Sequence, residues 1–269
     1  MKARAVLAYA LGLVLLLGGC AESGGRTAAD GPTPSTSTTP PPAPSPKPSA
    51  SPKPTRTSPT KRPLRPKPTT MPAGLRRTTG VRSVALTFDD GPSPAWTPKI
   101  LDRLRAAKVT ATFCLVGMEA KRHPELVRRI VREGHQLCNH SWRHDVDLGR
   151  RPVAEIRADL ERTNKAIRAA VPNAKISFYR QPGGVWTPEV VGVAKQLGMS
   201  PLHWNVDPQD WRRPPAKTIS KRVLGAVHPG SIVLLHDGGG DRAATTAACA
   251  GVIGELKRRY GITRLGQAS

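Results

Sequence analysis

From Val81 onward the chain alternates short apolar runs with amphipathic segments, and no other feature constrains its fold so strongly. Runs with strand character lie at 82–88 (RSVALTF), 109–116 (VTATFCLV), 135–139 (HQLCN), 175–180 (KISFYR), 199–205 (MSPLHWN) and 231–236 (SIVLLH). Between them, 97–107, 119–133, 152–170, 187–197 and 215–227 carry apolar residues three and four positions apart, the pattern of a helix with one buried face. A further helix fits 242–258, and "ITRL" is a candidate for a last short strand. Thr97-Pro98 and Thr187-Pro188 each offer an N-cap followed by proline at the first helical position, and Gly134 and Gly198 stand where helices should end. Strands alternating with helices imply a parallel sheet with right-handed crossovers. Six or seven such units point to an α/β barrel rather than an open sheet. A dinucleotide-binding sheet is not indicated, because "GGG" at 238–240 is not the GxGxxG fingerprint.

The N-terminal third is of another kind. Lys2 and Arg4 precede an apolar run from Ala5 to Leu17, too short to span a bilayer comfortably, so residues 1–19 read as a signal peptide. The sequence "LGGC" that ends this run resembles a bacterial lipobox, which implies lipidation of Cys20 and anchoring of the exported chain to a membrane. Residues 21–80 hold 15 of the 28 prolines and only two acids, Glu22 and Asp30. Rich in Pro, Ser and Thr, this segment has too little apolar surface to offset its ordering entropy and reads as a disordered tether with polyproline character. The domain it carries would then begin at 81, held out toward a cell wall. The net charge of +23 raises nucleic acid as a partner, but no helix-turn-helix, zinc-finger or RNA-binding signature accompanies it. Anionic wall polymers or lipid head groups fit an exported basic chain better. Of the four cysteines, Cys114 and Cys138 fall in strands; if those strands are neighbours the two can form a disulfide in an oxidising compartment, leaving Cys249 as a buried thiol.

In barrels built from parallel strands, functional groups gather at the C-terminal ends of the strands. Every polar cluster of interest here falls at such an end. Asp89 and Asp90 follow the first strand, and His140 and His144 the third. Arg180 ends the fourth, Asp207, Asp210 and Trp211 follow the fifth, and His236 and Asp237 end the sixth. The His-x-x-x-His spacing in "HSWRH" suits two metal ligands, and a carboxylate from "FDD" supplies a third. Asp, His and His leave open positions on a divalent ion, as hydrolysis by an activated water requires. The adjacent aspartates then divide their work, one binding the ion and the other acting as general base. His236 is placed to protonate a leaving group, with Asp210 or Asp207 holding the imidazole charged and Arg180 orienting the base.

In order and spacing, "TFDDGP", "HSWRH", "RQPGG", "DPQDW" and "LLHD" resemble the five motifs of the polysaccharide deacetylases, the NodB-like proteins of carbohydrate esterase family 4. The resemblance covers about residues 81–265. It implies a distorted (β/α)7 barrel that removes acetyl groups from N- or O-acetylated sugars with a divalent metal, zinc first and cobalt or another ion next. By the same resemblance Asp89 is the base, Asp90, His140 and His144 are the metal ligands, and Arg180 contacts the base. Gly183 offers its backbone N–H to the oxyanion, Trp211 and Leu234 line the pocket for the acetyl methyl, and His236 is the acid, tuned by Asp210. The family often carries a tyrosine or other large residue where this chain has Gly183. The substrate groove therefore lacks an aromatic wall, and Trp186 is the candidate to replace part of it.

The remaining polar and aromatic residues have simpler readings. His123, His203 and His228 read as surface or packing histidines, His135 as structural, and Trp142 and Trp204 as packing around the barrel mouth. Asp145 and Asp147 are candidates to support the histidines from behind, and Asp237 to cap the turn after His236. An exported, tethered enzyme of this family points to peptidoglycan as substrate, then chitin-type oligosaccharides, with O-acetyl xylan an alternative at the same site. A retired barrel used only to bind carbohydrate is the non-catalytic alternative; it would have lost at least one of Asp89, Asp90, His140, His144 and His236, and all five are present.

Overall fold

A computed structural model describes residues 64–266. Cys20, the expected signal peptide and most of the expected tether lie outside these residues. Six strands form one parallel sheet: β1 (Ala85–Asp89), β2 (Thr112–Leu115), β3 (Gln136–Asn139), β4 (Ile176–Tyr179), β5 (Ser200–Pro201) and β6 (Ile232–His236), in the spatial order β5-β4-β3-β2-β1-β6. Seven α-helices accompany them among the described residues: α1 (Thr97–Ala107), α2 (Gly117–Arg122), α3 (Pro124–Arg132), α4 (Val153–Ala170), α5 (Pro188–Gln196), α6 (Ala216–Ala226) and α7 (Ala243–Tyr260).

The sheet curls until its edges approach each other. β5 pairs with β4 through Phe178–Ser200 and Tyr179–Pro201. The chain that leaves it reaches β6, where Val206 bridges Val233 and the Leu234 N–H donates to the Val206 carbonyl at 2.9 Å. Below that closure, residues 76–79 fill the remaining gap: Arg76 bridges Leu202 on one side and Thr78 bridges Ser231 on the other. Residues 64–80, assigned to the tether from composition, thus pack along the domain. Arg65 extends this packing, donating to the carbonyls of Gly149 (3.0 Å) and Arg151 (2.7 Å) and pairing with Glu189 at 3.2 Å.

Both faces of the curled sheet are covered, which is why all five residues of β1 are buried. Strand alternation sorts them. Leu86 and Phe88 join the larger core under the helices, with Phe113, Leu115, Val233 and Leu235. Ala85 joins a smaller interior cluster with Cys114, Cys138, Phe178 and Ile232. Asp89, four residues from Ala85, therefore also points inward. Cys114 and Cys138 are direct neighbours across β2 and β3 and are joined by a disulfide, while Cys249 is a buried free thiol.

Four local expectations change. The helix read across 119–133 breaks into α2 and α3, because Pro124 lacks an N–H and forces His123 out of helical conformation (φ −127°, ψ 57°). The strand read across 199–205 shortens to two residues, since Pro201 cannot donate to a ladder. "ITRL" contributes one bridge, Ile262 to Val84, so six strands rather than seven form among the described residues. Thr97 is not the cap of α1: Trp96 precedes the helix without a side-chain cap, and the Thr97 hydroxyl turns to the Asp237 carboxylate. Thr187 does cap α5, accepting from the Val190 N–H.

Candidate active site

Parallel pairing in register brings the strand ends level. Asp89 pairs with His236 across β1 and β6 and with Cys114 across β1 and β2, so groups far apart in sequence share one rim. A cavity of about 350 Å³ opens there, lined by Asp89, Asp90, His140, His144, Gly183, Trp211, Leu234 and His236, joined by Gln181, Trp204 and Asp207. That volume lies within the ordinary range of small-ligand sites.

The two aspartates occupy different environments. Asp89 Oδ1 accepts from Arg180 Nη1 at 2.6 Å. Arg180 is fully buried, its guanidinium fixed by Thr87 Oγ1 (2.8 Å) and the carbonyls of Leu202 (3.2 Å) and His203 (3.3 Å). Asp90, next in sequence, leaves the strand in a left-handed conformation (φ +73°), which swings its carboxylate toward the histidines. Asp90 Oδ1 stands 3.4 Å from His140 Nε2 and 3.4 Å from His144 Nε2 and makes no hydrogen bond. Ser141 and His144 are also left-handed (φ +64° and +58°), so the turn after β3 spends backbone strain in presenting its imidazoles.

These three side chains fit a divalent cation. Ligands about 2.0–2.1 Å from a tetrahedral ion stand roughly 3.3–3.4 Å apart, and the potential donor atoms of Asp90, His140 and His144 all lie within 4.8 Å of one another. His140 Nδ1 lies 2.8 Å from the Arg180 carbonyl, which can only accept; the proton therefore sits on Nδ1 and the Nε2 lone pair faces Asp90. Burial pushes the Asp90 carboxyl up, but the His140 contact and the charge of His236 outweigh it and hold the group well below the usual carboxylate range. The orphaned, ionised oxygen between two imidazoles is the signature of a cation site.

On the opposite side, His236 Nδ1 meets Asp210 Oδ1 at 2.7 Å, and Asp210 Oδ2 accepts from the His236 N–H and Thr245 Oγ1, both at 2.9 Å. Burial works against the imidazolium, but the Asp210 hydrogen bond and charge prevail, with help from Asp90 and Asp89, and the pKa rises to about 9. Of the two partners read from sequence, only Asp210 touches His236. Asp207 lines the cavity and accepts from the Gln209 N–H at 2.7 Å. Buried Arg242 ties the Asp210 turn to the glycine loop by donating to the carbonyls of Gly238 (2.7 Å) and Asp210 (3.4 Å). The run Gly238-Gly239 is required for packing: a Cβ at either position would collide with Asp90.

Gly183 has φ +62°, which a bulky residue tolerates poorly, and it borders the cavity. Trp186 does not replace the missing aromatic wall. It is buried against Tyr179 with its indole N–H 3.2 Å from His203 Nδ1, while Trp204 and half-exposed Trp211 reach the cavity instead. Asp145 does not support the histidines from behind; it pairs with Arg151, and Asp147 pairs with Arg150. His135 is structural, accepting from the Ala111 N–H at 3.1 Å. Two residues gain weight over the sequence reading. Gln181, between Arg180 and Pro182, lines the cavity and is gripped by Tyr179 and the Val146 carbonyl. Asp237 is more than a turn cap: it is fully buried beneath Gly91, and burial raises its pKa to about 7. Its only sequence signal is its place beside His236.

Comparison with known proteins agrees with this geometry. The polysaccharide deacetylase family model matches residues 76–202, ending before Asp210 and His236. A chitooligosaccharide deacetylase of Bradyrhizobium sp. (strain ANU 289) is 46% identical over 171 residues, covering 62% of this chain and 78% of that protein. A peptidoglycan-N-acetylglucosamine deacetylase of Bacillus cereus is 37% identical over 178 residues, covering 65% and 82%. Among solved structures, the Bc1960 peptidoglycan N-acetylglucosamine deacetylase superposes with a TM-score of 0.67 at 34% identity, covering 71% of this chain and 90% of that one. With these likenesses spanning most of each relative, the chain belongs to the polysaccharide deacetylase family and is a hydrolase of that class.

Proposed function

We propose that this chain removes N-acetyl groups from peptidoglycan or a chitin-type glycan, with Asp90, His140 and His144 holding a divalent cation, zinc first. The observation that carries this reading is the split of the aspartate pair, Asp89 bound to Arg180 and Asp90 lodged between two imidazoles. When bound, such a cation lowers the pKa of a water toward neutrality and polarises the acetyl carbonyl. Asp89 takes the proton from the attacking water. Its Oδ1 is committed to Arg180, so Oδ2, 3.6 Å from His140 Nε2, is the oxygen that receives it. Gly183 borders the cavity, and its backbone N–H is the donor we assign to the charge that develops on the acetyl oxygen. His236, held protonated with Nδ1 locked on Asp210, presents Nε2 to the departing amine and gives up its proton as the C–N bond breaks. Acetate and a free amino sugar leave. Leu234 and Trp211 bound the space for the acetyl methyl.

The named activities of the Bradyrhizobium and Bacillus relatives support an N-acetyl substrate over O-acetyl xylan. Export and anchoring through Cys20 remain part of the proposal, and the Cys114–Cys138 disulfide, a bond favoured outside the cytosol, supports export. The test is acetate release from peptidoglycan, chitooligosaccharide and acetylxylan, with zinc or cobalt added and with a chelator. Release from one of the first two that the chelator abolishes is expected. No release from any of the three by folded, metal-loaded protein would refute the reading.

A further inference from the structure

A second cleft lies on the outer wall, between α2–α3 and α4, with a volume of about 530 Å³. Its floor is apolar, formed by alanines of α4 and Ala120, and by Trp142. Its walls carry four exposed cations: Lys121 from α2, Arg128 from α3, and Arg162 and Lys165 from α4. Arg162, Lys165 and Ala169 recur at helical spacing and so share one face of α4.

None of the four cations makes an ion pair or hydrogen bond with another described residue. The acids nearby meet other partners: Glu119 pairs with Arg122, Glu161 lies 3.7 Å from Arg157, Glu125 lies 3.5 Å from His123 Nδ1, and Asp159 accepts from the Trp142 N–H at 2.7 Å. Arg162 stacks on the Trp142 ring, 3.9 Å from its centroid. Stacking fixes the guanidinium plane and leaves its N–H donors free. Four like charges gathered in one concavity repel one another, and no carboxylate among the described residues pairs with any of them.

We propose that this cleft binds an anionic glycan chain, its carboxylate or phosphate groups paired with Lys121, Arg128, Arg162 and Lys165. The cations sit on three helices rather than converging on one point, which suits repeated anions along a polymer better than a single small ion. They line a cleft rather than a flat face, which suits a chain better than a bilayer surface. The site is separate from the deacetylase cavity, and its occupancy does not require turnover.

Binding of a six-residue oligogalacturonate and of a six-unit linear polyphosphate is measured on the full chain by titration calorimetry, with maltohexaose as the neutral control. Affinity for the oligogalacturonate is expected to fall about tenfold or more in Arg162→Ala/Lys165→Ala, since each pair is a charge-assisted contact, and binding of polyphosphate alone would overturn the glycan assignment. Lys121→Ala/Arg128→Ala, which leaves the Trp142 stack intact, should show the same loss. Lys217→Ala/Lys221→Ala, which removes equal charge from α6, should change affinity less than twofold; melting curves confirm that all three fold. The tighter of the two oligomers identifies the anionic group. The proposal is overturned if the α6 pair loses as much as the cleft pairs, if maltohexaose binds equally well, or if only phosphatidylglycerol vesicles bind.

Discussion

Replacing Asp210 by asparagine tests how this domain keeps an acid charged. The substitution preserves shape and leaves an oxygen to accept from the His236 N–H, but it removes the negative charge 2.7 Å from His236 Nδ1. His236 sits at about 9, against roughly 6.5 for an unperturbed imidazole, and at 1.36 kcal/mol per unit the environment favours the imidazolium by about 3 kcal/mol. Asp210 is its nearest carboxylate, so most of that preference should vanish in the variant. At pH 7.5 the wild-type imidazole is almost wholly protonated, whereas one returned to about 6.5 is protonated only about a tenth of the time. The value of kcat/KM for acetate release should then fall about tenfold at pH 7.5, and its alkaline limb should move from near 9 toward 6.5. The linked stability has a definite sign. A raised folded pKa contributes stability that is complete below about 6.5 and is lost as pH climbs through 9, and D210N should lack that decline. The assays are a pH–rate profile of acetate release and an NMR titration of the imidazole. An alkaline limb left in place in D210N would refute the assignment of His236 as an acid tuned by Asp210.

Asp89→Asn should reduce turnover by about a hundred- to ten-thousandfold while zinc still binds, as general-base contributions of 10²–10⁴ imply; equal loss of zinc, read by isothermal titration, would reverse the two aspartate roles. Asp237→Asn should flatten the pH dependence of unfolding, because a folded pKa raised to about 7 contributes stability below about 3.8 that is lost as pH rises through 7. Denaturant midpoints between pH 4 and 8 measure this, and an unchanged slope would mean Asp237 is already ionised in the folded protein. On the proposed export and anchoring, Cys20→Ala should move the chain from the membrane to the soluble fraction, and unchanged fractionation would count against lipid anchoring.

The periodic features were legible because their causes are local. Alternation along "ALTFD" buries a strand on both faces and sends Ala85 and Asp89 to the same side, and that parity can be counted without coordinates. The helix ends at Gly134 and Gly198 are equally local, since both adopt positive φ (+83° and +75°). Where neighbouring residues compete, counting fails. Thr97 could have capped α1, but a buried carboxylate 140 positions away was the stronger partner for its hydroxyl. Pro124 and Pro201 broke elements whose apolar spacing was otherwise regular.

At the site, sequence order sufficed to bring Asp89, Asp90, His140, His144, Arg180 and His236 to one rim, because parallel strands in register end at one level. Which group touches which was decided by tertiary structure. "NVDPQDW" offers His236 two carboxylates, and only the fold of that turn against Thr245 and Arg242 selects Asp210 over Asp207. Asp237 looks like any turn aspartate until Gly91 and Thr97 close over it. The outer cleft is invisible in the chain for the same reason: Lys121, Arg128, Arg162 and Lys165 are ordinary helix-surface cations until α2, α3 and α4 pack side by side. Periodicity is a property of neighbours along the chain, so sequence determines it. Proximity between distant residues depends on how loops close and helices dock, and only the folded protein decides it.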